Sequence, residues 1–208
     1  MILNILFTFP MSFIYNQIYE KFKLTQSTKL ANSFTAVSHA SSTVALSFIY
    51  FFTNRYSFLI QINSGGYYLY DLYYMIQKNK FDLLRVMYLY HHCVTYMYIL
   101  LDSNKYYWVY SMFFAELSNF PNYLVYYNLQ LDKKLKLKNK SQSTINSMKI
   151  QLYTYGIIRI IVLGYLGLLD LQHDETPYII YMMSILYIFG LIWFSFMCLQ
   201  HIKLIKNK

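Results

Sequence analysis

Apolar positions gather into seven long stretches, roughly 2–19, 33–52, 57–77, 82–101, 106–129, 150–171 and 177–201, and most charged side chains lie between them. A helix rises about 1.5 Å per residue, so stretches of this length match the ~30 Å hydrocarbon core of a bilayer. Backbone groups in lipid must satisfy one another, and runs this long lack the apolar/polar alternation of barrel strands, so helices are predicted. The pattern predicts an all-α fold, a polytopic transmembrane helical bundle of about seven helices, or six if the first segment does not span. That segment begins at Met1, lacks a basic leader and contains Pro10, which makes it a poor signal peptide. A short membrane helix and an interfacial hairpin both fit it.

Charge then orients the bundle. Only 13% of residues are charged, against about 25% in a soluble domain. Lys21, Lys23 and Lys29 follow the first segment; Lys78, Lys80 and Arg85 follow the third. Lys133, Lys134, Lys136, Lys138, Lys140 and Lys149 follow the fifth, and Lys203, Lys206 and Lys208 close the chain. The alternate loops carry Arg55, then Lys105, then no base across residues 170–175. By the positive-inside rule, the N-terminus is lumenal or outside and the C-terminus cytosolic. The net charge of +9 is therefore topological and does not indicate nucleic acid. The stretch DKKLKLKNKSQSTINSMK, 132–149, reads first as a solvated loop, with anionic lipid headgroups as its partners. Cys93 and Cys198 lie inside apolar segments, with neither the spacing nor the setting of a disulfide framework or zinc site.

Polar groups occur well inside five of the stretches. They are His39; Asp71; His91, His92 and Thr95; Glu116, Ser118, Asn119 and Asn122; and Arg159. By residue count their depths fall within a slab on the order of 10–15 Å thick. A lipid-facing position would leave each unpaired and costly, so they are expected to point inward and meet one another. Tyr88, His91, Thr95 and Tyr98 recur at three- and four-residue intervals and share a helix face, as do Glu116, Asn119 and Tyr123. His92 is turned about 100° from His91, so one ring can face a cavity while the other meets a neighbouring helix. Gly65 and Gly66 allow close backbone approach or a helix break. Pro121 frees a carbonyl that Asn119 and Asn122 flank.

Two kinds of role suit this set. A histidine pair beside carboxylates can transfer protons or accept an acyl group. The same groups can equally be a buried polar network that locks the helices together. Arg159 is expected to neutralise Glu116 or Asp71, with a substrate phosphate or carboxylate as the alternative. Adjacent histidines diverge on a helix and the chain has five His in all, so no metal is expected. A His/Asp/Glu/Arg chain across helices also fits a proton-coupled transporter.

The order NSFTAVSHA (32–40), INSGGYYLYDL (62–72), YHHCVT (90–95) and AELSNFPNYL (115–124), then the arginine of YGIIRIIV (155–162) and Trp193, resembles the TLC-domain family. That family includes ceramide synthases, the TRAM translocon protein and the smaller TLCD-type proteins. The resemblance divides the chain into a first membrane segment with its basic loop (1–30), a TLC-like transmembrane domain (31–203) and a basic tail (204–208). It implies a location in the endoplasmic reticulum or a connected membrane and a lipid-related role. The terminal KLIKNK has a lysine three from the end but not the second lysine of a retrieval signal. For a ceramide-synthase-type N-acyltransferase the resemblance implies His91 and His92 as acylation residues, Asp71 as support, acyl-CoA as co-substrate and no cofactor. A sphingoid base or ceramide would be its lipid partner. Ceramide synthases carry a further His-Asp and Asp downstream of the pair, where this chain reads AELSNFPNY, closer to the TLCD-type branch. The expected function is therefore binding or regulation of membrane lipids, with the acyltransferase and the transporter as alternatives.

Overall fold

The computed structural model describes residues 2–77, 83–101, 107–173 and 177–206. Lys78, Lys80, Lys105, residues 174–175 and Lys208, used above to orient the chain, lie outside them. The described residues are all-helical: α1 (Ile2–Thr25), α2 (Thr28–Thr53), α3 (Ser57–Gln77), α4 (Leu83–Leu101), α5 (Trp108–Leu117), α6 (Phe120–Lys134), α7 (Gln142–Tyr155), a π-helical stretch (Gly156–Val162), α8 (Leu163–His173) and α9 (Pro177–Lys206). The π stretch joins α7 and α8 without a break, and α5 and α6 meet at the two-residue turn Ser118–Asn119, so the elements make seven rods. Two of these, over Gln142–Leu169 and Ile180–Lys203, are long and apolar enough to cross a membrane.

The helices outrun the apolar stretches. Hydropathy marks where lipid can be, whereas caps and propensity mark where a helix ends. α1 continues through Pro10 to Thr25, and α2 starts at Thr28 on the Ser27 side chain, which accepts from Leu30 N. Its far end closes on Asn54 in the left-handed region at φ 51°. The expected loop 132–149 shrinks to residues 135–141, because α7 begins at Gln142. Ser141 caps that helix by accepting from Thr144 N at 3.2 Å. Asp132 of α6 clasps the cap, accepting from Thr144 Oγ1 at 2.6 Å and Ser141 N at 3.1 Å.

That clasp has a pH signature. Chiefly the Thr144 hydroxyl, with Ser141, holds the Asp132 carboxyl below its ordinary range. A lowered folded-state pKa stabilises above the unfolded value of about 3.9 and is lost as pH falls through the folded one. Hydrogen exchange over 132–144 is expected to show full protection down to about pH 4, then loss on further acidification. Asp132→Asn should remove that acid dependence.

The core is rich in aromatic and aliphatic side chains, among them Tyr15, Ile60, Ile99 and Trp108, and it holds many polar ones as well. Buried positions include Thr8, Thr35, His39, Thr43, Asn63 and Glu116, whereas Leu6, Phe9, Phe13, Phe52, Ile161 and Leu168 face outward. The polar inner faces also lower the mean hydropathy of the other rods. α1 belongs to this interior: Tyr15, 1% exposed, donates to Asn63 Oδ1 of α3 at 2.6 Å. Helix α3 runs unbroken past Gly65 and Gly66 and uses them for close approach to α1. A Cβ on Gly65 would stand 2.7 Å from Thr8 Cγ2, and one on Gly66 2.5 Å from Met11 Cβ.

Candidate functional site

Two histidine–carboxylate contacts form the polar centre. His92 of α4 places Nδ1 2.9 Å from Asp71 Oδ2 of α3. This is ion-pair distance, although the ring nitrogen is not directed at the oxygen and makes no aligned hydrogen bond. His39 of α2 lies with Nδ1 3.8 Å from Glu116 Oε2 of α5. Its Nε2 meets Thr43 Oγ1 at 3.1 Å and Ser64 Oγ at 3.3 Å. Tyr67 stacks on the His39 ring at 4.1 Å, and Tyr15 and Tyr68 meet it edge-on. Tyr68 connects the two centres: its ring packs edge-on against His92 at 5.1 Å, and its hydroxyl donates to Glu116 Oε1 at 3.3 Å.

The turn between α5 and α6 carries the network onward. Asn119 N bonds Glu116 O at 3.0 Å, a tightened turn ahead of Pro121, which sits in the first turn of α6. The Ala115 carbonyl so released accepts from Ser118 Oγ at 2.7 Å and from Arg159 Nη2 at 3.1 Å. The two asparagines that flank Pro121 extend the network across the junction. Asn119 Nδ2 donates to Glu116 Oε2 at 3.1 Å, and Asn119 Oδ1 accepts from Asn122 and from Arg159 Nη2. Asn122 Oδ1 in turn accepts from Gln151 of α7 at 3.0 Å.

Arg159 departs from expectation. Among the described residues it pairs with neither Glu116 nor Asp71; its Nε donates to Ser118 Oγ at 2.8 Å, and all its acceptors are neutral. The reason is local. Arg159 stands in the π-helical stretch, whose wider turn presents it to the α5–α6 junction, and Asn119 is interposed between the guanidinium and Glu116.

His91 and His92 part company, as their ~100° separation requires. His91 turns away from the carboxylates and meets Trp193 edge-on at 4.7 Å and Phe189 at 5.8 Å. It lines a cavity of about 490 Å³ bounded by α4, α5, the π stretch, α8 and α9. Tyr68, Thr95, Ser111 and Arg159 also reach its wall, and the rest is mainly apolar. The Thr95 hydroxyl is held by the His91 carbonyl at 2.8 Å. Tyr88, on the same face of α4, stacks on Trp193 at 5.0 Å.

The structure thus brings an imidazole, a guanidinium and a phenol to the wall of one mainly apolar chamber, and Tyr68 links that wall to the two histidine–carboxylate contacts. Chemically this can orient a polar head and, through His91, accept or donate a proton. Several members have no counterpart among the residues singled out from sequence: Tyr15, Thr43, Asn63, Ser64, Tyr68 and Gln151. Thr43 had a signal, since it follows His39 by four and shares its face. The tyrosines had none in a chain with 25 of them. Among the described residues no three His, Cys, Asp or Glu side chains gather as metal ligands. No family model, no curated protein and no solved structure matches the chain, so its functional reading rests on the motifs and on this geometry.

Proposed function

We propose that this chain is a multi-pass membrane protein of TLC type that holds a membrane lipid in the cavity beside His91, binding or regulating lipids. The observation that carries the proposal is the outward set of Phe and Leu side chains around a core that buries His, Asn and Glu, beside a mainly apolar chamber. Contiguous apolar surface on this scale suits lipid rather than water. A polar interior gives helices in lipid a reason to associate that apolar contact alone does not supply. The positive-inside pattern supports a lumenal N-terminus and a cytosolic C-terminus, and the resemblance supports the endoplasmic reticulum or a connected membrane. Alkaline carbonate extraction with glycosylation-site mapping is expected to return an integral protein with alternating loops. Extraction into the soluble fraction would end this reading.

One observation favours an acyltransferase as the second reading: His91, with no described partner on its ring, lines the cavity next to the His92–Asp71 contact. Membranes supplied with acyl-CoA and a labelled sphingoid base decide between them. A regulator yields no N-acylated product from the wild type. An acyltransferase yields product from the wild type and none from His91→Ala at equal expression.

A further inference from the structure

The turn from α6 to α7 is at once rigid, basic and apolar. Leu135 N donates to Leu131 O at 2.9 Å, Lys136 N to Lys133 O at 3.1 Å and Leu137 N to Asp132 O at 3.1 Å. The last two are the pair of bonds that closes a helix when the residue beyond its cap is left-handed. That residue is Lys136, at φ 52°. Glycine is the usual occupant of such a position, because a side chain is strained there. A lysine held against that preference points to a use for its side chain.

Every residue from Lys133 to Lys140 is exposed. Leu135 stands 60% open and Leu137 46% open, each flanked by lysines. Residues 133–149 hold no acid, and Asp132 is buried and turned to Thr144 and Ser141. Among the described residues none of Lys133, Lys134, Lys136, Lys138 and Lys140 has an ion-pair partner. Leucines set between unpaired lysines complement a surface with phosphate outside and hydrocarbon beneath. The leucines gain by leaving water there, and each lysine gains roughly fivefold beside an anionic bilayer. Single-stranded nucleic acid offers the same phosphates but favours stacking side chains, and residues 133–149 contain no aromatic residue.

We propose that the 133–140 turn is a docking site for anionic phospholipid, with Leu135 and Leu137 entering the acyl layer and the lysines holding headgroup phosphates. It rests on the membrane reading and names the lipid class that this turn takes. The full chain, with Cys93→Ser and Cys198→Ser, carries a solvent-sensitive fluorophore on Asn139→Cys, an exposed position between two of the lysines. It is placed in nanodiscs of phosphatidylcholine alone, or of phosphatidylcholine and phosphatidylserine in equal parts, each with a nitroxide on some acyl chains. Quenching is expected in the mixed discs and not in the others, and it should fall as salt rises. Lys136→Gly relieves the backbone, so the melting temperature should hold or rise while the docked-to-free ratio drops roughly fivefold. Leu135→Ser combined with Leu137→Ser should abolish the quenching. Equal quenching in both kinds of disc overturns the assignment to anionic lipid. No quenching in either overturns docking as a whole. Protection of the fluorophore by an unstructured RNA, without anionic-lipid quenching, overturns it in favour of nucleic acid. A chain that does not enter discs at all fails the membrane reading itself, whereas one that enters them without anionic dependence fails only this proposal.

Discussion

Glu116→Ala is expected to be the most destabilising single change at the polar centre, by about 3 kcal/mol, because it orphans two buried donors at ~1–3 kcal/mol each. Those donors are the Tyr68 hydroxyl at 3.3 Å and Asn119 Nδ2 at 3.1 Å. Glu116 is 1% exposed, so water cannot replace the lost acceptor without entering the core. The damage extends to the α5–α6 junction: Asn119 would lose the carboxylate that holds its amide while its carbonyl still accepts from Arg159. For a chain of this size the loss corresponds to a melting temperature lower by roughly 6–12 °C. Glu116→Gln retains an acceptor for Tyr68 and should cost much less. A thermal melt in detergent that ranks Gln equal to Ala would mean that the carboxylate charge against His39, rather than hydrogen bonding, is what the bundle uses.

Gly66→Val is the second large effect, and its reason is steric. The added Cβ would lie 2.5 Å from Met11 Cβ and 3.1 Å from the Met11 backbone carbon, so α1 as a whole must move. Overpacking of this kind costs about 1–3 kcal/mol. It would also lengthen the Tyr15–Asn63 hydrogen bond, which is 2.6 Å in the intact bundle. Gly190→Ala is the matched control. Its Cβ meets nothing within 4 Å, and replacing helical Gly by Ala is worth up to ~1 kcal/mol. Gly190→Ala should therefore hold or raise the melting temperature where Gly66→Val lowers it. Equal losses at both positions would show that helix flexibility, not the α1–α3 contact, governs the response.

These two changes separate what a linear reading reaches from what it does not. Apolar run length was enough to predict seven rods, and helical periodicity was enough to put His91 and His92 on different faces. The tetrad from Tyr88 to Tyr98 shared a face for the same reason. What periodicity lacks is the identity of the neighbour. Hydropathy cannot supply it either, because helices buried against lipid and against one another look alike in apolar content. The assignment of Asp71 to His92 and of Glu116 to His39 therefore came only from packing.

Arg159 was expected to find a carboxylate because unlike charges attract, yet the π-helical stretch set its direction and Asn119 took the place between it and Glu116. A change of helical register inside GIIRIIV leaves no mark in composition. The helix boundary inside 132–149 is hidden for a related reason: its lysines mark where the apolar run ends, not where the helix stops. The stop depends on Asp132 reaching Ser141 and Thr144 across the turn. By itself, then, the sequence determined the rods, their apolar surfaces and which residues are too polar to face outward, since these follow from local transfer energies and a fixed helical period. The tertiary structure alone decided which of those residues meet, which stay open to the cavity, and that α1 closes the bundle, because partners across helices depend on the relative placement of whole rods.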